Sequence, residues 1–412
     1  MSDFDPKETP VMMPTAELTP IAIPAFQCVT AAGDTLDELY SALIAHGSCL
    51  TTLDLFDVPF DTLVGVVKTP LPIPRSALKA YDCRNARLAL KALEQGDLRH
   101  QIATAKQRYG AARLGVVLGT STSGIYDTEQ AYAHMQTHQA MPDNFDFLHT
   151  HTAQATAEFL SKELDLQGPC YAISTACSSS AKALAAAQRL IMADVCDAVL
   201  VAGVDSLCRL TLRGFNSLQL ISPDNCRPMD VNRNGINIGE GAALLLLERS
   251  HADNAHCPRL LAVGESSDAY HMSAPHPEGA GALAAMALAL KLGGREAQQL
   301  DHINLHATAS TLNDLSEAKA ISRFFINPPP CSGVKGLIGH TLGAAGAVEV
   351  VICLLAMQRN FLPGTFGLQQ QDPLCAIPML TQPRLAQSVK LVLSNAFGFG
   401  GNNASVLLEA PE

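Results

Sequence analysis

The stretch from 168 to 193, GPCYAISTACSSSAKALAAAQRLIMA, constrains the chain more than any other. Pro169 to Thr175 reads as a short buried strand. Ser178 to Ala193 reads as a helix, with Ala181, Leu184, Ala185, Leu190 and Ile191 at helical spacing. Between them lies Cys177, beside Ala176 and three serines small enough to let a substrate approach. A turn this sharp pushes one side chain into the open. At a helix N-terminus, unpaired N–H groups and the positive end of the dipole favour thiolate over thiol. Free cysteines are usually core filler, and the chain has twelve. Only Cys177 has the setting of an activated nucleophile.

The 412 residues are 48% hydrophobic, enough for one large core or two fused ones. Twenty-nine glycines and no Trp imply helix faces that meet through small side chains. The cysteines form no CxxC pair and no zinc-type spacing, so they are expected to be reduced thiols of a cytoplasmic protein. The first twenty residues carry four prolines, without the basic start and apolar core of a signal peptide, and residues 1–19 read as a flexible lead-in. Runs such as AVLVAGV are strand-sized, so no membrane span is expected. A net charge of −11 argues against nucleic-acid binding. Two local basic clusters, Arg75/Lys79/Arg84/Arg87 and Arg209/Arg213, are nevertheless expected to be available for docking an acidic partner.

A βα rhythm runs through the chain. Ile21 to Val29 predicts the first strand, and Thr35 to His46 an amphipathic helix stopped by Gly47. A helix is expected over 76–94, a strand over 114–118 leading into GTSTSG, and a polar covering element over 127–147. His134 and His138, at i and i+4 within it, have no evident third metal ligand. Strands follow over 197–204 and 241–248. From Arg259 the pattern restarts: strand, helix, strand, helix, then a small-residue helix over 341–358 and two strands flanking GFGG. The halves, 20–256 and 257–412, are read as two similar α/β layers.

Two further stretches carry chemistry. His306 ends the alternating strand HINLHA, where a side chain can point into a site. His340 precedes the small-residue helix, whose dipole is expected to keep the imidazole neutral. Lys335 and Glu349 flank it and are expected to pair beside it. NAFGFGGNN, 395–403, offers mobile backbone N–H groups next to an aromatic.

Together STACSSSA, HATAS, VKGLIGHTLGAAGAVE and NAFGFGGNN resemble the β-ketoacyl-[acyl-carrier-protein] synthases of the type I/II branch. RPMDVNRNGINIGEGAA (227–243) and SDAYHMSAPHPEG (267–279) are similar to two further blocks of that family. The resemblance covers nearly everything after residue 20. It implies a thiolase-like fold of two duplicated halves in five αβαβα layers, paired as a dimer. The type III branch has Asn where this chain has His340. Degradative thiolases carry a second catalytic Cys where it reads GFGG, and chain-length-factor subunits lack the nucleophile.

What the resemblance implies for the site is specific. Cys177 takes an acyl group as thioester, and His306 and His340 stabilise the enolate left when a malonyl thioester loses CO₂. The N–H groups of Cys177 and Phe399 form the oxyanion hole. Lys335 and Glu349 hold His340. Thr308 and Ser310 bind the pantetheine arm, Phe399 gates, and Thr122 and Phe215 line the acyl pocket. No metal and no cofactor is needed, since phosphopantetheine arrives on the carrier protein, the expected partner. A homodimer is expected, with a heterodimer with a related synthase as the alternative, in which this chain mainly shapes the tunnel.

Departures from the family point to a specialised enzyme. Ala307 stands where Gly is usual and Ala309 where Gly or Ser is common, so a methyl group is expected to narrow the arm's space or shift the His306 loop. In RNG, 233–235, Asn replaces the more usual acidic residue. DCRNARLAL and GTSTSG are similar to bacterial synthases of aryl polyene clusters.

Overall fold

The computed structural model describes residues 17–411. Ten strands carry the framework: β1 (Ile21–Thr30), β2 (Leu114–Gly119), β3 (Cys170–Ile173), β4 (Ala198–Asp205), β5 (Gly241–Arg249), β6 (Arg259–Ser267), β7 (His302–Asn304), β8 (Cys331–Ser332), β9 (Leu391–Gly398) and β10 (Asn402–Glu409). They join in the order β8-β7-β9-β10-β6-β1-β5-β4-β2-β3. Counted within each half, both sets run third-second-fourth-fifth-first. In both, the third, second and fourth strands are parallel, and the remaining pairings are antiparallel. The two sets of strands are joined by the β1–β6 pairing, where Ile21 faces Leu260 and Ala22 faces Arg259.

Strand alternation sends side chains to both faces, and here both faces are covered. The outer face of the first half packs against α2 (Arg84–Leu93), α3 (Leu98–Tyr109) and α5 (Ala155–Glu163), which follow α1 (Leu36–Ala45) and α4 (Ile125–His138) in the numbering. Two helices lie between the two sets of strands, α6 (Ser179–Met192) and α10 (Ala345–Arg359), with α7 (Arg209–Ser217), α8 (Ala280–Leu292) and α9 (Thr311–Phe324) between them in the chain. The outer face of the second half carries α8 (Ala280–Leu292) and α9 (Thr311–Phe324). This is a thiolase-like α/β arrangement in five αβαβα layers.

The central pair explains the abundance of small residues. A methyl group at Gly346 would lie 2.7 Å from the Ala181 backbone nitrogen, and one at Gly203 would lie 2.7 Å from Ala347 Cβ. Helices α6 and α10 thus approach each other and the strands at backbone distance. The stretch Leu342–Arg359 is apolar enough to cross a membrane, a run that strand-sized reckoning overlooked. It is 89% buried within the protein, so its apolar surface is used in the core.

Several boundaries differ from expectation for local reasons. The helix expected over 76–94 is a 3₁₀ stretch, Ser76–Tyr81, and then α2, started by Cys83. Helix α1 ends at His46, which adopts φ +54°, one residue before the glycine expected to stop it. The small-residue helix begins as a 3₁₀ turn, Leu342–Ala344. The polar covering element expected over 127–147 overlaps α4, which starts two residues earlier and ends at His138. Most of the expected lead-in lies outside the described residues, but Leu18 donates to the Leu292 carbonyl at 2.8 Å.

Because the Ala181 backbone cannot move aside, Gly346→Val is expected to lower unfolding stability by about 3 kcal/mol, read as a reduced urea midpoint. An unchanged midpoint would contradict this packing.

Candidate active site

The turn that carries Cys177 is built by its own serines. Ala176 adopts φ +52° and reverses the chain between β3 and α6. Ser178 Oγ donates to the Thr175 carbonyl at 2.9 Å, and Ser179 Oγ accepts the Thr175 N–H at 2.9 Å. Ser180 Oγ accepts the Ala347 N–H at 2.9 Å and ties α6 to α10. All three serines are fully buried. They brace the elbow from beneath and do not open it to substrate, the reverse of what small size alone suggested.

Asp205, at the end of β4, is equally buried and was not anticipated. Its carboxylate accepts from the N–H groups of Ser121 and Thr122, from both threonine hydroxyls of GTST, and from the Ala344 N–H at 3.1 Å. It therefore fixes the 119–124 loop and the approach to α10 around the elbow.

Above this floor Cys177 Sγ lies 2.9 Å from Nε2 of His340. The His306 and His340 rings stand edge to face with centroids 5.3 Å apart. The sulfur and one nitrogen of each ring all fall within 4.8 Å of one another. These three groups could hold a soft metal, but the Lys335 ammonium beside His306 opposes a dication. His134 and His138 stack at 4.0 Å on the exposed face of α4 and gain no third donor among the described residues.

The imidazoles differ in how they are held. His306 follows β7, and the Glu317 carboxylate accepts its N–H and that of Ala307, both at 2.8 Å. Lys335 Nζ bonds the His306 carbonyl and lies 3.4 Å from His306 Nδ1. The same ammonium pairs with Glu349, which also accepts from Asn304 at 3.2 Å. An ammonium can only donate, so Nδ1 of His306 is the acceptor and Nε2–H is left for the cavity. His340 is held through its backbone: its N–H donates to Asn237 O at 2.7 Å and its carbonyl accepts the Gly239 N–H at 3.0 Å.

Burial, then the Lys335 charge, push both imidazoles well below the ordinary histidine range, and they are neutral at pH 7. The helix dipole expected to do this for His340 is not needed. Burial also pushes the Cys177 thiol up to about 11, against the Lys335 charge and the Phe399 amide. The thiolate expected from the helix terminus is thus corrected. The resting sulfur is a thiol, with His340 in reach of its proton.

A cavity of about 140 Å³ opens onto the three groups, and Phe215, Thr308, Ser310 and Phe399 also line it. Phe215 and Phe399 meet with centroids 5.6 Å apart. Thr308 and Ser310 hydroxyls lie 3.0 Å apart at the cavity wall.

Comparison with known proteins decides the family. Residues 73–252 match the beta-ketoacyl synthase N-terminal domain, and 259–369 match its C-terminal domain. The chain belongs to the β-ketoacyl synthase family. It is 29% identical to 3-oxoacyl-[acyl-carrier-protein] synthase 2 of Coxiella burnetii, over 94% of this chain and 98% of that one. It is 32% identical to nodulation protein E of Rhizobium meliloti, over 71% of this chain and 75% of the relative. Among solved structures it resembles a chain of the ketosynthase–chain length factor complex from Xenorhabdus doucetiae. That match has a TM-score of 0.88 and 38% identity, and covers 95% of this chain and 98% of the other. The synthase is a condensing enzyme.

Within this synthase, several expected placements change. Lys335 and Glu349 hold His306, not His340, because the Lys335 chain ends under the His306 carbonyl. Thr122 lies outside the cavity lining; its hydroxyl is bonded to Asp205 at 2.6 Å. The Ala307 methyl does not narrow the cavity. Ala307 is fully buried, and its Cβ packs toward Gly333, where a second methyl would lie only 2.6 Å away. Of the basic cluster, Arg84 is bound to the buried Glu240 at 2.7 Å, Arg87 to Asp82 at 2.8 Å and Arg75 to Glu163 at 2.9 Å. Arg209 lies over the Phe56 ring. Lys79 and Arg213 are exposed.

Sequence reasoning also passed over Glu317 and Asp314. Their spacing of three on α9 was the available signal, since it puts both carboxylates on one helix face toward the HATAS loop.

Because thiolate is the reacting form, alkylation of Cys177 by iodoacetamide is expected to rise tenfold per pH unit well beyond pH 9. A plateau near pH 8 would contradict the elevated thiol.

Proposed function

We propose that this synthase extends carrier-bound acyl chains by two carbons through decarboxylative condensation, with Cys177 from the half 20–256 and both histidines from the half 257–412. The observation that carries the reading is the convergence of Cys177, His306 and His340 on one cavity that Phe399 also lines.

In the first step Cys177 Sγ attacks the acyl carbonyl and the carrier thioester C–S bond breaks. The thiol proton leaves on the carrier's departing thiolate, so His340, whose Nε2 lies 2.9 Å from the sulfur, stays a neutral donor. The N–H groups of Cys177 and Phe399, both facing the sulfur, receive the developing oxyanion. In the second step the malonyl C–C bond breaks, CO₂ leaves, and its electrons form an enolate on the arriving thioester. His306 donates to that enolate from Nε2–H, and His340 is the second donor. The carbanion then attacks the acyl carbon, and Cys177 leaves as a thiolate that takes one proton from solvent to regain the resting thiol. Neutral donors suffice because decarboxylation supplies the carbanion. Lys335 and Glu349 act on His306 from behind.

Thr308 and Ser310 bind the phosphopantetheine arm that the carrier delivers. Of the two basic clusters, Lys79 and Arg213 are the exposed cations left to meet an acidic carrier. The synthase works in the cytoplasm, consistent with twelve free thiols, and pairs with a second copy or a related chain. Likeness to the complex with a chain length factor supports the latter. The DCRNARLAL and GTSTSG stretches support an aryl polyene-type substrate. The intact Cys177/His306/His340 set favours the catalytic role over tunnel shaping.

Replacing Cys177 with Ala is expected to lower condensation by at least about a thousandfold, while malonyl decarboxylation persists. Product formation and ¹⁴CO₂ release, measured on the same preparation, separate the two steps. Full condensation by the variant would remove Cys177 from the mechanism.

A further inference from the structure

The block 227–243 crosses the site from the first half. In the structure its central segment lies between the two histidine-bearing loops. Gly235 N–H donates to the Ala309 carbonyl at 3.2 Å, while Asn237 and Gly239 hold the backbone of His340 from both sides. One extended segment therefore touches the arm-binding loop at one end and the catalytic histidine at the other.

Ala309 needs such a hold. It adopts φ +69°, a conformation that costs a residue with a Cβ. Its carbonyl is taken by Gly235, and its N–H donates to Asp314 Oδ1 at 3.2 Å. The other Asp314 oxygen accepts the Met229 N–H at 2.8 Å. This carboxylate is fully buried, and the cation facing it is Arg233, whose side chain is 3% exposed. Arg233 Nε stands 3.8 Å from Asp314 Oδ2, and Nη1 donates to Asp372 Oδ2 and to the Asp230 carbonyl, both at 2.7 Å. Thr308 and Ser310, which bracket Ala309, face the cavity. By contrast the His306 end of the same loop is held by Glu317, three residues further along α9.

We infer that Arg233 is a positioning residue for substrate binding: through Asp314 it holds Ala309, and so sets Thr308 and Ser310 for the arm of the carrier-bound substrate. The two ends of the 306–310 loop are held separately, by Asp314 for binding and by Glu317 for chemistry. This inference rests on the proposed use of a carrier arm. It requires that Arg233 and Asp314 act as one unit, and that loosening them leaves the Cys177–His340 pair in place.

A double-mutant cycle tests it, with Arg233→Gln, Asp314→Asn and the combined variant of the full chain. Asparagine keeps the shape of the carboxylate but has one acceptor oxygen for two N–H groups. KM for acyl transfer from carrier-bound acyl thioester to Cys177 is read by intact-protein mass. The rate of Cys177 alkylation by iodoacetamide is read alongside.

Each single variant is expected to raise KM about tenfold with alkylation within twofold of the parent, and the pair to raise it no further than the larger single effect. An unchanged KM in Asp314→Asn, effects that multiply in the pair, or alkylation that falls in step with KM would each overturn the inference. Arg233→Gln leaves Asp314 without its cation and can fail to fold. Asp314→Asn and the combined variant leave no such charge, and between them they still decide: KM must rise equally in both. Failure of the parent itself to take an acyl group from the carrier would instead overturn the proposed function.

Discussion

The buried ammonium of Lys335 is the point on which the site depends. It is 1% exposed, paired with the equally buried Glu349, and bonded to the His306 carbonyl and ring. Removing one member of such a pair costs about 3–5 kcal/mol, because the other charge is left without water or partner. The same cation lies close enough to depress both imidazoles and to oppose the rise of the Cys177 pKa. One charge thus fixes a ring orientation, adds to the burial that keeps two donors neutral, and eases ionisation of the nucleophile.

Its position follows from the layered fold. Glu349 is on α10, between the two sets of strands, and His306 follows β7 in the second half. The elbow of Cys177 belongs to the first half. Small residues let α6 and α10 approach at backbone distance, as Gly346 against Ala181 illustrates. Bulkier side chains there would move the elbow relative to Lys335. The packing of the central layer is therefore also the alignment of the reacting groups.

Much of this was legible in the chain. The strand-turn-helix around Cys177, the βα restart at Arg259 and the two histidines beside glycine-rich turns are local patterns, and local pattern places them. What escaped depends on which distant segment a long side chain reaches. Lys335 is near His340 in sequence, yet its four-carbon stem carries the charge to His306. Arg84 looked like part of a surface cluster until Glu240, far along the chain, appeared beside it. The methyl of Ala307 turned toward Gly333 because backbone at positive φ redirects Cβ. Desolvation was likewise invisible: a helix terminus argued for thiolate, and burial reversed it at Cys177.

The same geometry assigns protons. With Lys335 donating to Nδ1, His306 must be neutral and carry its proton on Nε2, aimed at the cavity. Nitrogen-15 NMR of histidine-labelled protein reads this directly, with His306→Asn identifying the signal. At pH 7 the account predicts a neutral ring protonated at Nε2; an imidazolium, or a ring protonated at Nδ1, would contradict it.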